Sequence, residues 1–173
     1  MIVETSPTQA TEATLTLQAT QAPWTNQLDA MDAAIATSNA SAAVLAWRHA
    51  YSAALDQPGW RGLVEVAGAA LRISVIPGFQ KAAESRARES YWTALFRARR
   101  QGSLNGVLDA AEAFGMLGDR VMVEQCIRIA ERLALLTGDS EAADRVRALA
   151  VDLAQRYIEV EPPEIYGVAA ARR

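Results

Sequence analysis

Apolar residues recur at helical spacing along most of this chain, beginning at Asn26. In the first such stretch Leu28, Met31 and Ile35 are separated by three and then four residues, which places them on one face of a helix. Six further stretches follow the same pattern, and glycine or proline residues interrupt the chain between them. The pattern predicts helices from residue 26 onward and over residues 41–56, 60–76, 80–101, 104–117, 119–137 and 140–158.

Three of the predicted junctions, at residues 102–103, 118–119 and 138–139, pair a glycine with Ser or Asp. Glycine adopts the left-handed conformation that ends a helix, and Ser or Asp accepts hydrogen bonds from the first N–H groups of the next one. Two helices with their turns recur roughly every 40 residues, which is typical of stacked helical hairpins. The sequence therefore predicts an all-α fold, a stack of about seven antiparallel helices.

Composition supports close packing of these helices. Of 173 residues 36 are alanine, which favours helices and occupies little space. The third helix is predicted to turn a face with larger side chains toward the core, formed by Trp60, Leu63, Val64, Ala67, Leu71 and Val75.

The two ends of the chain lack this helical pattern. Residues 1–25 are rich in Thr and Gln and predict a flexible tail, residues 26–159 form the helical-repeat domain, and residues 160–173 predict a second flexible tail. No positively charged start followed by an apolar stretch is present, and no stretch approaches about 20 uninterrupted apolar residues. We expect a cytoplasmic protein with no membrane association.

One segment, residues 107–135, resembles a tetratricopeptide repeat, and residues 44–72 resemble it more weakly. Val123 stands where the family usually has Ala, and Ile127 where it has an aromatic residue. The resemblance implies a right-handed stack of helical hairpins whose inner helices form a groove for another protein. The residues that carry the stronger match are Val107, Ala110, Ala111, Phe114, Gly118, Val123, Ile127 and Ala130.

Residues suited to catalysis or metal binding are scarce. His49 is the single histidine and is predicted to lie at the surface. Cys126 is the single cysteine and falls on an apolar helix face, which predicts a buried thiol rather than a reactive one. We expect no catalytic residues, no metal site and no cofactor.

The fourth helix carries the candidate binding residues. Arg88, Trp92, Phe96 and Arg99 lie along one flank of it, and Trp47 and Tyr51 on the second helix are a further candidate contribution. Arginines interleaved with aromatic residues suit an acidic protein segment, or the bases and phosphates of a single-stranded nucleic acid. The same pattern also occurs on solvated helices whose aromatic residues pack on a neighbour.

Charge favours protein over nucleic acid as the partner. Residues 48–100 carry nine basic and four acidic side chains, but the whole chain has a net charge of −3. We expect a non-enzymatic interaction module, acting as a scaffold or assembly factor, and self-association is a second option. The alternatives are a nucleic-acid-binding protein that uses helix 80–101, and a helical bundle that binds a small ligand or acts as an enzyme.

Overall fold

A computed structural model describes residues 22–160, with side chains through Tyr157. This part of the chain forms seven α-helices and a single 3₁₀ turn, Ile73–Val75, and contains no strand. It confirms the all-α fold class. Of the predicted tails, 1–25 and 160–173, residues 1–21 and 161–173 lie outside the described residues. The helices are α1 Thr25–Ala36, α2 Ala40–Leu55, α3 Arg61–Arg72, α4 Gln80–Arg100, α5 Leu104–Met116, α6 Arg120–Thr137 and α7 Ser140–Val160.

The helix ends use the predicted turn residues. Gly102, Gly118 and Gly138 have φ angles of 63°, 68° and 65°, in the left-handed region that favours glycine. The Ser103 hydroxyl accepts a hydrogen bond from the backbone N–H of residue 106, and the Asp119 carboxylate accepts one from that of residue 122. The sequence pattern therefore located these helix junctions to within about two residues.

The chain divides into two compact units, and the boundary falls inside α4, between Thr93 and Ala94. In the first unit α2 packs against both α1 and α3, and α1 also contacts α3. The Trp24 indole N–H, just before α1, donates to a carboxylate oxygen of Glu65 on α3 at 2.8 Å. Asp32 and Arg72 join the same two helices through a pair of contacts at 2.8 and 3.0 Å. These exposed contacts join α1 to α3 at the surface.

In the second unit α6 packs against both α5 and α7, and α5 also contacts α7. Gly115 lies so close to Leu153 of α7 that a Cβ placed on it would be 2.6 Å from a Leu153 methyl carbon. Phe114 is fully buried beside it. A side chain at position 115 would therefore require Leu153 to move where α5 contacts α7.

Alanine is the commonest residue of the buried core in both units. It lets helix backbones approach closely, as the composition predicts. One prediction was wrong: Val75 does not face the core but is 70% exposed. The helical pattern breaks there because α3 ends at Arg72 and continues as a 3₁₀ turn, and Ile73 and Ile76 occupy the buried positions instead.

Candidate functional site

The four candidate residues of α4 follow one another at steps of four, four and three residues. Arg88 and Trp92 belong to the first unit, and Phe96 and Arg99 to the second. Trp92 is 44% exposed and Phe96 is 60% exposed, while Arg99 is exposed and Arg88 is half-buried. Two large aromatic side chains four residues apart are thus accessible on this helix.

Trp92 and Phe96 are exposed because α4 buries a different face. That face of the helix includes Tyr91, whose phenol is surrounded by the core. Burial raises the pKa of Tyr91 above its usual value. The residues of this buried face are Ala87, Tyr91, Ala94, Leu95 and Ala98.

Trp47 and Tyr51 belong to an aromatic cluster on α2. Their rings stack with centroids 5.3 Å apart and planes 10° from parallel. Trp47 is only 5% exposed, and its indole N–H donates to the backbone carbonyl oxygen of Val66 on α3 at 2.9 Å. Tyr51 is half-buried. Trp47 therefore holds α2 against α3, and Tyr51 covers one side of its ring.

Arg86 joins this cluster, which the sequence pattern did not reveal. Its guanidinium carbon lies 6.0 Å from the centroid of the Trp47 ring. One guanidinium nitrogen is buried and has no hydrogen-bond acceptor among residues 22–160. Helical periodicity puts Arg86 on the same face of α4 as Arg97 and Arg100 and does not indicate this contact. Arginine side chains favour the faces of tryptophan rings, but the spacing of residues in the sequence does not show which arginine lies beside which tryptophan.

A second surface, between α6 and α7, was also missed. There the second unit has an open cleft of about 430 Å³ with an apolar floor that includes Val123, Ile127 and Leu153. Charged side chains alternate in sign along its α6 rim, in the order Arg120, Glu124, Arg128 and Glu131. The Tyr157 hydroxyl lies at the Arg120 end of this cleft, and none of the described residues accepts a hydrogen bond from it.

The same pair of helices forms a neighbouring depression of about 480 Å³. Glu131 borders both hollows, so they follow each other along one seam between the helices. Leu135, which lines the second hollow, is 81% exposed, and Leu136 beside it is equally accessible. Large apolar side chains are therefore accessible near one end of the seam, and alternating charges line the other.

The Cys126 thiol is fully buried, as predicted. Burial, followed by the nearby carboxylate of Asp119, raises the thiol pKa from 9.0 to about 12. At pH 8 we expect the folded protein to react with a thiol reagent at least roughly 100-fold more slowly than the urea-unfolded chain, because its thiolate is scarcer and the thiol is inaccessible. Equal rates of reaction with 5,5′-dithiobis(2-nitrobenzoate) would contradict this placement.

The raised pKa of Cys126 also gives a pH dependence to stability. The unfolded thiol ionises near pH 9, whereas the folded thiol stays protonated until about pH 12. Because the unfolded chain then binds fewer protons than the folded one, the free energy of unfolding should fall as pH rises from 9 toward 12. Urea titrations at pH 8 and 10 on the wild type and on Cys126→Ala measure this difference, which the substitution should reduce.

His49 is exposed on α2, as expected. In the part of the chain that the structure describes, no group of three or more His, Cys, Asp or Glu side chains is placed to share a metal ion. None of the helices between residues 22 and 160 combines the length and the apolar character that a membrane span requires.

Comparison with known proteins leaves the family open. No family model matches the chain. No curated protein is significantly similar to it. The resemblance of residues 107–135 to a tetratricopeptide repeat therefore stays a prediction.

Proposed function

We propose that this chain is a non-enzymatic interaction module that binds a segment of a partner protein through one flank of α4. This candidate flank is formed by Arg88, Trp92, Phe96 and Arg99. The observation that carries the proposal is the exposure of Trp92 and Phe96, four residues apart on one helix. Aromatic side chains and arginine dominate the binding energy of protein interfaces, and isolated surface charges contribute much less. Scaffolding or assembly of another protein is the role that such a module would serve.

The two arginines define the chemistry of the partner in this proposal. Arg88 precedes Trp92 by one helical turn and Arg99 follows Phe96 by one turn. A guanidinium group pairs with a carboxylate through two parallel hydrogen bonds, so the flank suits a segment with acidic residues beside an apolar anchor. On α2, Tyr51, whose ring stacks on that of Trp47, is a further candidate contact with the partner.

Reversing both arginine charges tests the proposal. The double variant Arg88→Glu/Arg99→Glu should lose capture of the partner, because two attractive contacts with carboxylates become repulsive. Tagged full-length protein is incubated with an extract of its own cells, and the bound proteins are quantified by mass spectrometry. The far-ultraviolet circular dichroism spectrum should remain that of the wild type.

A matched control carries the same change in net charge elsewhere on the helix. The double variant Lys81→Glu/Arg100→Glu replaces two exposed basic residues of α4 outside the candidate flank and should retain the partner. Trp92→Ala/Phe96→Ala should lose the partner too, whereas Leu45→Ala, at an exposed apolar residue of α2, should not. Capture that survives both flank variants would exclude this flank as the binding site.

Nucleic acid is the second candidate, because the last turn of α4 carries Arg97, Arg99 and Arg100. Binding to phosphates weakens steeply as salt concentration rises, since counterions are released on binding. Fluorescence anisotropy with a labelled single-stranded oligonucleotide at low and physiological salt separates the two functions. Under our proposal no binding should remain at physiological salt.

A further inference from the structure

The seam between α6 and α7 has an internal symmetry in its charges. Along α6 the rim reads Arg120, Glu124, Arg128 and Glu131, so positive and negative side chains alternate. Read in the opposite direction, the same series becomes negative, positive, negative, positive. A second copy of α6 placed antiparallel to the first therefore presents the opposite charge at every step.

We propose that the α6–α7 seam is a two-fold symmetric interface, occupied by the same seam of a second copy of this chain. Arg120 would face Glu131 of the partner subunit, and Glu124 would face Arg128 of the partner subunit. Both pairs are centred on the same point of the helix, near Gln125 and Cys126, so one register satisfies them together. Symmetry repeats each pair, and four ion pairs result.

The floor of the seam fits a helix as its occupant. Val123 and Ile127 supply apolar contact area close to the centre of the proposed two-fold axis. On the α7 side Ala150 and Ala154 line the cleft, and their small side chains allow another helix to approach closely. Four helices from two copies would then pack around a shared apolar core, an arrangement common to helical bundles.

Tyr157 provides a further reason for this orientation. Its buried hydroxyl lies at the Arg120 end of the cleft, with no acceptor among the described residues. An antiparallel second α6 brings its opposite end, and therefore Glu131 of the partner subunit, to this position. The hydroxyl is shielded from solvent within one chain, so the Tyr157 side chain would have to turn toward the cleft for this carboxylate to accept its hydrogen bond.

The ion pair that already exists along the α6 rim does not prevent these charged side chains from pairing with a second copy. Arg120 and Glu124 form an ion pair at 3.2 Å within α6, and both side chains are more than half exposed. An exposed pair of this kind contributes little to stability, so its members can change partners on association.

The experiment uses the full chain and two single-sign variants. Arg120→Glu/Arg128→Glu makes the rim wholly acidic, and Glu124→Arg/Glu131→Arg makes it wholly basic. By sedimentation velocity at roughly 100 µM the wild type should have twice the 18.6 kDa mass of one chain. Each variant alone should dimerise about a hundredfold more weakly, because like charges then face each other. An equimolar mixture of the two should regain the dimer mass.

Control variants separate this interface from general charge effects. Arg132→Glu and Glu112→Arg change exposed residues outside the cleft and should leave the dimer intact. A monomeric wild type, a single-sign variant with the same dimer dissociation constant as the wild type, or a mixture that stays monomeric would each overturn the proposal. The α4 variants above leave these charges untouched, so loss of partner capture and loss of dimerisation can be told apart.

Discussion

Replacing Trp47 with alanine should lower the free energy of unfolding by about 3–5 kcal/mol. The side chain is almost fully buried between α2 and α3, and its removal leaves a cavity that helices of this kind cannot fill by small shifts. The substitution also removes the stacking with Tyr51, the contact with the Arg86 guanidinium and the hydrogen bond to the Val66 carbonyl. Urea denaturation followed by circular dichroism measures the change.

The variant Trp47→Phe separates the contribution of packing to the free energy of unfolding from that of the hydrogen bond. Phenylalanine keeps an aromatic ring at this position but cannot donate to the Val66 carbonyl, so we expect a smaller loss of about 1–2 kcal/mol. A Trp47→Ala protein as stable as the wild type would mean that this side chain does not join α2 to α3. Because Trp47→Ala removes core packing, this variant does not test partner binding.

The second large effect is expected at Gly62, in the first turn of α3. A Cβ placed on this residue would lie 2.5 Å from the Trp24 ring, much closer than carbon atoms can approach. Gly62→Ala should therefore displace the indole, break its hydrogen bond to Glu65 and lower the free energy of unfolding by about 2 kcal/mol. Thermal and urea denaturation of the full chain provide the measurement.

Gly68→Ala, in the same helix, is the matched control. A Cβ at Gly68 would lie 3.6 Å from the Tyr91 hydroxyl oxygen, which is an ordinary contact. Alanine stabilises a helix interior relative to glycine, so this variant should gain roughly 0.5–1 kcal/mol. In a Trp24→Ala background Gly62→Ala should also become neutral or stabilising. If Gly62→Ala remains as costly without the indole, the contact with Trp24 is not its cause.

Helix positions could be predicted from the sequence because their determinants are local. The apolar spacing and the junction residues, such as Ser103 and Asp119, act within one or two helical turns, and the structure confirms them. The exception at Val75 is also local. There the helix changes from α to 3₁₀ geometry, which alters which residues face inward, and the apolar spacing of the sequence does not reveal this change.

The surfaces could be predicted only in part. Helical periodicity accounts for the burial of Tyr91 and Leu95. The exposure of Trp92 and Phe96 did not follow from it, because the same pattern also fits aromatic residues that pack on a neighbouring helix. Arg86 and the α6–α7 seam did not follow, because both depend on which helices become neighbours. Val123 and Ile127 show this limit: their spacing indicates an apolar face, but it does not indicate that part of this face borders an open cleft.

The alanine-rich core has a consequence for how this protein tolerates change during evolution. In most proteins, truncation of a core residue is the harmful event, and the interior accepts other large apolar residues of similar volume. Here many interior positions, Ala50, Ala67 and Ala110 among them, have almost no side chain to lose and are fully buried, so a larger side chain would have to displace its neighbours. A complete mutational scan should therefore show an inverted pattern at these alanine positions, in which Gly and Ser survive and Leu and Phe are eliminated. Related sequences should be recognisable by where small residues are kept, more than by where large ones are.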